Sequence, residues 1–370
     1  MAIDPNKETY TAQQLKIFKE IQRLIKDVYN QTISLPQVKK IMASGKMFHL
    51  RENPGVERAI NDILNSVRPR IGSLILNGVV KAWTEGEEQV WKAAADKFAK
   101  MDQEQKILTQ IRQEATSEHR HDAAKAFHNE SRNGLKISDR IWNSTEGIKS
   151  EMEALIQRAM IEGKGADQLA RELQKFLQDP ELIFRRVRNP ITKKLELSEA
   201  AKKFKPGQGR YRSSYKNALR LASTEISRAY RQAQWKNFQN NPLIVGYELR
   251  LSNNHTCSDG KGGTIPGWTD ICDELIGRYP KEFRWNGNHP QCRCVMIPIQ
   301  ITIEEFAERV RARAEGRLQE WKPKNMIKEM PQGFTDWASK NMKRIDGAQH
   351  QPYFVQDNFK GGKLAGGLKF

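Results

Sequence analysis

The sequence predicts a mainly α fold with a small α+β module that contains the cysteines. Apolar residues recur at helical spacing over most of the 370 residues, which predicts amphipathic helices. All four cysteines lie within residues 246–299. Short apolar runs at residues 245–251 and 295–299 stand at the two ends of this segment and have the alternation typical of strands. We therefore expect long helices together with a short antiparallel hairpin or a small sheet, in which the strand near Gly246 pairs with the strand after Cys294.

Residues 1–133 form the first predicted region, and this region is helical. Thr11 and Gln14 have the spacing of a capping box, in which each side chain accepts a hydrogen bond from the other residue's backbone amide. A second helix is predicted to begin near Val56. It is expected to stop at Pro69, because proline lacks the amide proton that an α-helix needs.

Residues 71–131 contain no proline and are predicted to be helical throughout. Three glycines in this stretch are expected to mark bends or helix ends: Gly72, Gly78 and Gly86. Helices of this length pack as antiparallel hairpins, and a homo-oligomer could form if copies bundle together.

Asn133-Gly134 is a strong turn signal and marks the first predicted boundary. Residues 134–300 are the second predicted region, and residues 241–300 are its cysteine module. Within this region, residues 178–210 hold three prolines and many charges. We expect that stretch to be an exposed connection or an insertion that a partner orders.

Residues 301–370 are the third predicted region. Residues 303–321 have acids at the start and arginines toward the end, which favours one amphipathic helix. The glycine- and lysine-rich residues 360–370 are expected to be a flexible tail that docks only through aromatic side chains.

The net charge of +18 is concentrated in two segments. Residues 201–240 hold ten Lys or Arg against one acid, and residues 321–370 hold nine against four. Clustered cations favour an anionic partner, of which a nucleic-acid backbone is the commonest. The alternative is that these basic helix faces are simply solvated.

The helix predicted over residues 211–238 carries the candidate DNA-binding residues. Its apolar face is expected to pack on the core, which leaves the opposite face outward. That face carries four cations: Lys216, Arg220, Arg228 and Arg231. We predict that they contact phosphates of double-stranded DNA without reading bases. Glu225, the one acid in the segment, is expected to pair with Arg228 or to bond into the following strand, rather than to act in catalysis.

Several classes of protein are not expected from this sequence. It has no run of 18 apolar residues, and its first residues are too polar for a signal peptide, so we expect no membrane partner and a reducing cytosol. It also has no phosphate-binding G-x-x-x-x-G-K-[ST] motif and no H-E-x-x-H motif. We therefore predict that the chain is not an enzyme.

Four cysteines and one histidine are the candidate metal ligands: Cys257, Cys272, Cys292, Cys294 and His289. Cys292 and Cys294 are two residues apart at a predicted strand, so their side chains face the same side. A tetrahedral structural zinc site fits these residue types and a reducing compartment. The alternatives are disulfides that cross between the two parts of the segment and four thiols that remain reduced and pack.

Several of these residues also resemble a known protein family. Thr224-Glu225, Arg228-Ala229 and Trp235 on one helix are followed by Gly246, Cys257 and the ending His289-Pro290-x-Cys292-Arg293-Cys294. This order is similar to the phage Mu F-like head morphogenesis family of minor capsid proteins, over roughly residues 137–299. The family carries C-x-x-C at the first cysteine, where this chain has Gly260 in place of the second one. Either Cys272 replaces that ligand from a longer loop or the site is incomplete.

The resemblance implies a non-enzymatic minor head protein. Such a protein is found in the host cytoplasm during assembly and then in the capsid interior of the virion. Its implied partners are the portal protein, other head proteins and packaged DNA. Two alternatives from other classes are open. One is a zinc-braced nuclease of the His-Asn-His type with Asn288 and His289 near the scissile phosphate, which needs a second histidine or acid where His255 is the only other histidine of the region. The other is a helical protein-interaction module that does not bind DNA.

Overall fold

The computed structural model describes the following residues: 11–98, 104–116, 126–127, 129–207, 210–252, 255, 269–346, 348, 351–361, 363–365 and 368. Over these residues the chain is mainly helical with small antiparallel sheets, which confirms the predicted fold class. No helix in these ranges is both long enough and apolar enough to cross a membrane.

The helices are numbered in chain order: α1 (Ala12–Ser34), α2 (Pro36–Ser44), α3 (Pro54–Phe98), α4 (Glu104–Thr116), α5 (Ile137–Thr145), α6 (Ile148–Ile161), α7 (Ala166–Gln178), α8 (Glu199–Lys203), α9 (Ser214–Asn240), α10 (Ile271–Glu274), α11 (Ile303–Ala314), α12 (Gln332–Asp346) and α13 (Tyr353–Asn358). The strands are β1 (Val187–Arg188), β2 (Leu195–Glu196), β3 (Ile244–Arg250), β4 (Gly277–Tyr279), β5 (Val295–Gln300), β6 (Phe359–Lys360) and β7 (Lys363–Leu364). Short 3-10 helices occur at Leu50–Glu52, Pro180–Phe184 and Leu318–Glu320.

Contacts divide the chain into two compact units built from alternating segments. The first, which we call the helical unit, comprises Ala2–Asn77 and Leu135–Ser223. The second, the cysteine unit, comprises Gly78–Gly134 and Thr224–Phe370. This division differs from the three consecutive regions that the sequence predicted, because α3 and α9 each contribute residues to both units.

Helix α1 begins as predicted, in the helical unit. The Thr11 amide donates to Gln14 Oε1 at 3.0 Å, and the Gln14 amide donates to Thr11 Oγ1 at 3.2 Å. The capping box therefore satisfies two amides that have no partner within the helix. The buried face of α1 packs on α7 and α6.

Helix α3 overturns the prediction that a helix stops at Pro69. It runs without interruption from Pro54 to Phe98. Apolar side chains stay buried at helical spacing on both sides of the proline, among them Ile60, Leu64, Val67, Ile71 and Ile75. Burial along this face outweighs the cost of about 3 kcal/mol that proline imposes inside a helix.

Residues 178–207 are more structured than the exposed connection that we predicted over residues 178–210. Pro180–Phe184 forms a 3-10 helix, β1 pairs with β2 in an antiparallel hairpin, and α8 follows. Ile183 and Val187 are buried. These apolar side chains anchor the segment within the helical unit.

The sheet of the cysteine unit has the strand order β4-β3-β5, and all neighbours are antiparallel. In this register Tyr247 lies opposite Tyr279 on one side and Pro298 on the other. The predicted pairing of the strand near Gly246 with the strand after Cys294 is thus confirmed. One core cluster contains Tyr247 and Tyr279 together with the buried cysteines.

Helix α11 is shorter than the helix predicted over residues 303–321. Gly316 has a φ of +70°, the left-handed conformation that glycine adopts readily after a helix end. The Arg317 amide donates to the Ala312 carbonyl at 2.8 Å. This turn satisfies carbonyls of the last helical turn and ends α11 at Ala314.

The C-terminal segment docks through more than its aromatic side chains. Phe354 and Phe359, which precede the predicted tail, are buried. Asp357 also pairs with Arg132 at 2.7 Å and with Arg284 at 3.1 Å. Within residues 360–370, Leu364 and Leu368 pack against the core cluster, so the prediction that this tail docks only through aromatic side chains is wrong.

Candidate metal centre

Cys272 is placed by a tight cap at the start of α10. Asp270 accepts a hydrogen bond from the Cys272 amide at 2.7 Å, and its own amide donates to Asp273 at 2.7 Å. This capping box turns the chain at the first helical residues. The Cys272 side chain is 1 % exposed, so the cap directs the thiol into the core.

The other candidate ligands come from the turn that leads into β5. Gly287 has a φ of +108°, and a Cβ there would lie 2.9 Å from Arg231 Nη1. The Cys292 amide donates to the His289 carbonyl at 3.1 Å, which closes the turn. Strand β5 begins immediately after Cys294 and is held by β3. The sequence therefore fixes this turn by glycine at one end and strand pairing at the other.

Cys272, His289 and Cys292 converge from these two segments. Cys272 Sγ lies 3.2 Å from His289 Nε2 and 3.7 Å from Cys292 Sγ. In a tetrahedral zinc site, two sulfur ligands are about 3.8 Å apart and a sulfur and a nitrogen about 3.6 Å apart. The separations are therefore those of side chains that can share one ion.

A second triad of possible ligands overlaps the first. His255, Cys272 and Cys294 have ligand atoms within 4.8 Å of one another, as do Cys272, His289 and Cys292. Cys272 belongs to both triads. The described residues thus bring together three thiols and two imidazoles, a set that could hold a metal ion.

None of the described cysteines forms a disulfide. Cys272, Cys292 and Cys294 are free and buried. The 3.7 Å between Cys272 Sγ and Cys292 Sγ exceeds the S–S bond length of about 2.05 Å. Of the predicted alternatives, a metal centre and packed reduced thiols remain for these three residues.

The three thiols differ in pKa. The hydrogen bond with Cys272 has the largest effect on the Cys292 thiol, and the bond with Cys294 adds to it. Together they lower the pKa of Cys292 well below its ordinary value. The same bond to Cys292 raises the pKa of Cys272. Because the thiolate is the form that binds a metal, Cys292 is the thiol that ionises first.

Arg231 supports the turn from helix α9. Its guanidinium donates to the carbonyls of Cys292 and Cys294, the latter at 3.3 Å, and to the Asn286 carbonyl at 3.4 Å. It also lies 5.0 Å from the centre of the Trp285 ring. Arg231 therefore holds the turn by its carbonyls and adds positive charge near the Cys292 sulfur.

A further cluster beside the thiols consists of His255, Asp270 and Asp273. His255 Nε2 lies 2.9 Å from Asp273 Oδ2 and 3.6 Å from Asp270 Oδ1. Asp270 Oδ2 lies 3.1 Å from His289 Nε2. Asp270 thus stands between the two histidines. Sequence reasoning did not assign Asp270 or His255 as metal ligands, although His255 lies only two residues before Cys257.

Four of the five predicted ligands lie within the described residues. Cys272, Cys292, Cys294 and His289 come together as predicted. Cys257 lies outside the described residues. Tyr279, Phe283 and Trp285 are buried in the same core cluster as the cysteines, which fits the covering role that is ordinary for aromatic side chains.

The prediction that α9 presents one outward basic face is wrong for two of its four residues. Arg228 and Arg231 are buried, with 2 % and 7 % of their surface exposed. Lys216 and Arg220 are half-buried on the first half of the helix. The reason is that segments far away in sequence cover the second half of α9, and 3.6-residue spacing cannot reveal them.

The predicted pair of Glu225 with Arg228 is confirmed. Arg228 Nη1 lies 2.7 Å from Glu225 Oε2, and both residues are buried. Arg228 Nη2 also pairs with Glu130 at 2.9 Å. This arginine is therefore a structural cation in the core of the cysteine unit.

Comparisons with known proteins add no relative. No family model, no curated protein and no solved structure matches this chain.

Proposed function

We propose that this chain is a non-enzymatic phage minor head protein whose cysteine unit is braced by a structural zinc ion. The observation that carries the proposal is the convergence of three buried thiols with His289 from two separate segments. Thiolate and imidazole ligands suit zinc, and closed sites of this composition are structural.

A metal would supply stability where regular structure is short. Helix α10 has four residues, and the turn from Asn286 to Cys294 contains no helix or strand. A structural zinc contributes on the order of 10 kcal/mol in small metal-dependent folds. The zinc would thus tie α10 to the start of β5.

The residues that resemble the Mu F-like family support the head-protein part of the proposal because they form one local structure. Thr224 Oγ1 accepts a hydrogen bond from the Gln291 amide at 3.2 Å, which joins α9 to the His-Pro-x-Cys-Arg-Cys turn. A Cβ at Gly246 would lie 2.8 Å from the Tyr279 carbonyl oxygen, so this position accepts only glycine. Residues of the motif are thus linked by contacts as well as by sequence order.

Packaged double-stranded DNA is the proposed anionic partner, alongside the portal and other head proteins. The net charge of +18 supports this part, since it attracts the phosphates of a duplex of any sequence. Arg228 and Arg231 are no longer proposed as DNA contacts, because their guanidinium groups are used inside the cysteine unit.

Metal analysis of the purified full chain tests the zinc brace. We expect about one zinc ion per chain, and loss of that ion in Cys272→Ser, because Cys272 belongs to both triads. His289→Asn is compared with His49→Asn, a histidine of the helical unit that lies beside Glu153. The His289 variant should lose zinc affinity and the His49 variant should keep it. Zinc-free native protein with reduced thiols would instead favour packed thiols.

Particle association tests the head-protein role. The chain is expressed together with phage portal and capsid proteins, and the particles are separated by sedimentation. We expect the native chain in the particle fraction and reduced incorporation of Cys272→Ser. Native chain that stays entirely in the soluble fraction would overturn the head-protein role and leave the zinc brace standing.

A second candidate function, metal-dependent cleavage of phosphodiester bonds, is favoured by the position of Asp270 between His255 and His289. Such chemistry needs a metal ion with an open coordination position and a group that activates water. Plasmid nicking with Mn²⁺ or Zn²⁺ distinguishes the two. Nicking that Asp270→Asn abolishes would support the nuclease, whereas no nicking by the native chain supports the structural role.

A further inference from the structure

The helical unit carries a basic β-hairpin within residues 178–210. Strand β1 pairs with β2 so that Val187 faces Glu196 and Arg188 faces Leu195. Residues 185–197, which we call the basic hairpin, contain five cations and one acid. The cations are Arg185, Arg186, Arg188, Lys193 and Lys194.

Internal hydrogen bonds define the conformation of the hairpin tip. The side chain of Asn189 accepts from the amides of Ile191 and Thr192 at 2.8 and 3.1 Å. Arg188 donates to the Lys193 carbonyl at 2.8 Å, and Thr192 donates to Glu196 at 2.7 Å. The tip is therefore built as a defined turn rather than as a loose connection.

The base of the hairpin is anchored in the helical unit. Val187 is buried, and Phe184 stacks on Phe204 with ring centres 5.0 Å apart. Arg158 donates to the Arg185 carbonyl at 3.1 Å. The anchored base therefore holds the exposed tip on a fixed support.

The tip exposes apolar and cationic side chains together. Ile191 is 89 % exposed and Leu195 is 57 % exposed, the two largest values among the exposed large hydrophobic side chains of the described residues. Within the described ranges, no carboxylate forms an ion pair with Arg186, Lys193 or Lys194. Their charge is thus available to a partner.

We propose that the basic hairpin is the element that docks on double-stranded DNA, with its cations on phosphates and Ile191 against base edges. This inference rests on the proposed DNA binding and assigns that binding to a surface. Arg185 pairs with Asp179 at 3.6 Å, and the other four cations outnumber the one acid of the hairpin and match the phosphate backbone in charge. A two-stranded ribbon fits the major groove, which is about 12 Å wide, and apolar side chains there contact thymine methyl groups.

The favoured partner is DNA rather than a membrane or a protein. Within the hairpin, one exposed isoleucine and one exposed leucine stand beside five cations, so charge outweighs apolar surface in its composition. Electrostatic attraction must therefore supply most of the binding, and a regular phosphate backbone supplies the densest negative charge.

Fluorescence anisotropy tests the proposal. It measures binding of the full chain to a duplex of about 30 base pairs over a range of salt concentrations. The double variant Lys193→Gln with Lys194→Gln removes two cations from the tip. We expect it to reduce the log–log salt slope by about 2 and to weaken binding at low salt. The matched control is Lys16→Gln with Lys19→Gln, which removes the same charge from exposed positions on α1.

Apolar contact is tested separately with Ile191→Ser. We expect affinity to fall several-fold while the salt slope stays unchanged, because no phosphate contact is lost. Ile303→Ser, at an isoleucine that is 51 % exposed, is the control. Both substituted side chains lie at the surface, so thermal unfolding should match that of the native chain.

The outcomes separate the hairpin from DNA binding as such. One outcome is that the native chain binds DNA while the hairpin variant and the control lysine variant show the same decrease in the log–log salt slope of affinity. That result overturns the hairpin assignment and leaves DNA binding in place. If the native chain does not bind DNA, or binds anionic phosphatidylserine vesicles instead, both DNA proposals are overturned and the zinc brace is unaffected.

Discussion

Glu151 on α6 is buried in the helical unit and caps the start of α9. Its Oε1 atom accepts from the amide and the hydroxyl of Ser214, at 2.7 and 2.5 Å, and its Oε2 atom accepts from the Tyr29 hydroxyl at 2.7 Å. Burial raises the pKa of Glu151 from 4.5 to about 7, although the bonds from Ser214 and Tyr29 lower it. Desolvation therefore outweighs three hydrogen bonds.

The raised pKa of Glu151 predicts that stability falls as pH rises. The folded chain keeps a proton that the unfolded chain releases above pH 4.5, so the contribution is present below that pH and is lost as pH passes about 7. Between pH 5 and pH 8, we expect the free energy of unfolding to fall by about 2–3 kcal/mol relative to Glu151→Gln. Urea unfolding at several pH values measures this difference.

The control for Glu151 is Asp167→Asn, an exposed carboxylate of the same unit that pairs with Lys39 at 3.1 Å. Its pH profile should follow that of the native chain. A Glu151→Gln profile that also follows the native chain would show that Glu151 does not carry the pH dependence.

Two ion pairs with the same spacing show what burial does to a charge. Glu225 and Arg228 on α9 are i, i+3 partners with almost no exposed surface. Glu20 and Arg23 on α1 are also i, i+3 partners, but their side chains are 34 % and 59 % exposed. The pairs match in residue type and order and differ in solvent access.

Removal of the carboxylate should therefore have unequal effects. Glu225→Gln leaves the buried guanidinium of Arg228 without its nearest charge, and we expect unfolding free energy to fall by about 3 kcal/mol or more. Glu20→Gln should cost less than about 1 kcal/mol, because water solvates the remaining Arg23. Equal losses in chemical unfolding would contradict this assignment.

At the scale of elements, helix α3 depends on a glycine where α9 crosses it. A Cβ added at Gly86 would lie 2.4 Å from the Tyr230 carbonyl oxygen and 3.1 Å from Ala233 Cβ. Glycine was predicted to mark a bend or helix end here, but α3 continues through it. Its role is to allow the close approach of two helices within the cysteine unit.

Gly86→Ala should destabilise the chain by about 1–3 kcal/mol, because carbonyl and methyl groups must move apart. Gly55→Ala is the control in the same helix, since nothing lies within 4 Å of its added Cβ. That variant should be neutral or stabilising by up to about 1 kcal/mol, as alanine favours a helix. Thermal unfolding of the two variants measures the difference, and a Gly86→Ala protein as stable as Gly55→Ala would remove the crossing from the explanation.

At the scale of the whole molecule, the net charge of +18 predicts salt-sensitive DNA binding. With about five phosphate contacts, the logarithm of affinity should fall with the logarithm of salt concentration at a slope of about −4 to −5. Titration of a duplex with native chain at increasing salt measures that slope. Affinity that hardly changes between low and moderate salt would contradict the electrostatic account.

The sequence by itself determined the helical class, the start of α1, the pairing of β3 with β5 and the main candidate ligands. These features depend on local spacing: a capping box, period-two alternation and cysteines close together in the chain. The pair between Glu225 and Arg228 is equally local, since three residues on a helix bring two side chains together.

Only the tertiary structure decided which charges are buried and that helix α3 continues through Pro69 and Gly86. It also decided that His255 and Asp270 lie beside the thiols. Each depends on segments distant in sequence that meet in space. Helical periodicity shows that Arg228 and Arg231 lie outside the apolar stripe of α9. It cannot show that Arg228 pairs with Glu130 or that Arg231 donates to the Cys292 carbonyl. Local patterns specify elements, whereas the solvent access of a side chain is set by what packs over it.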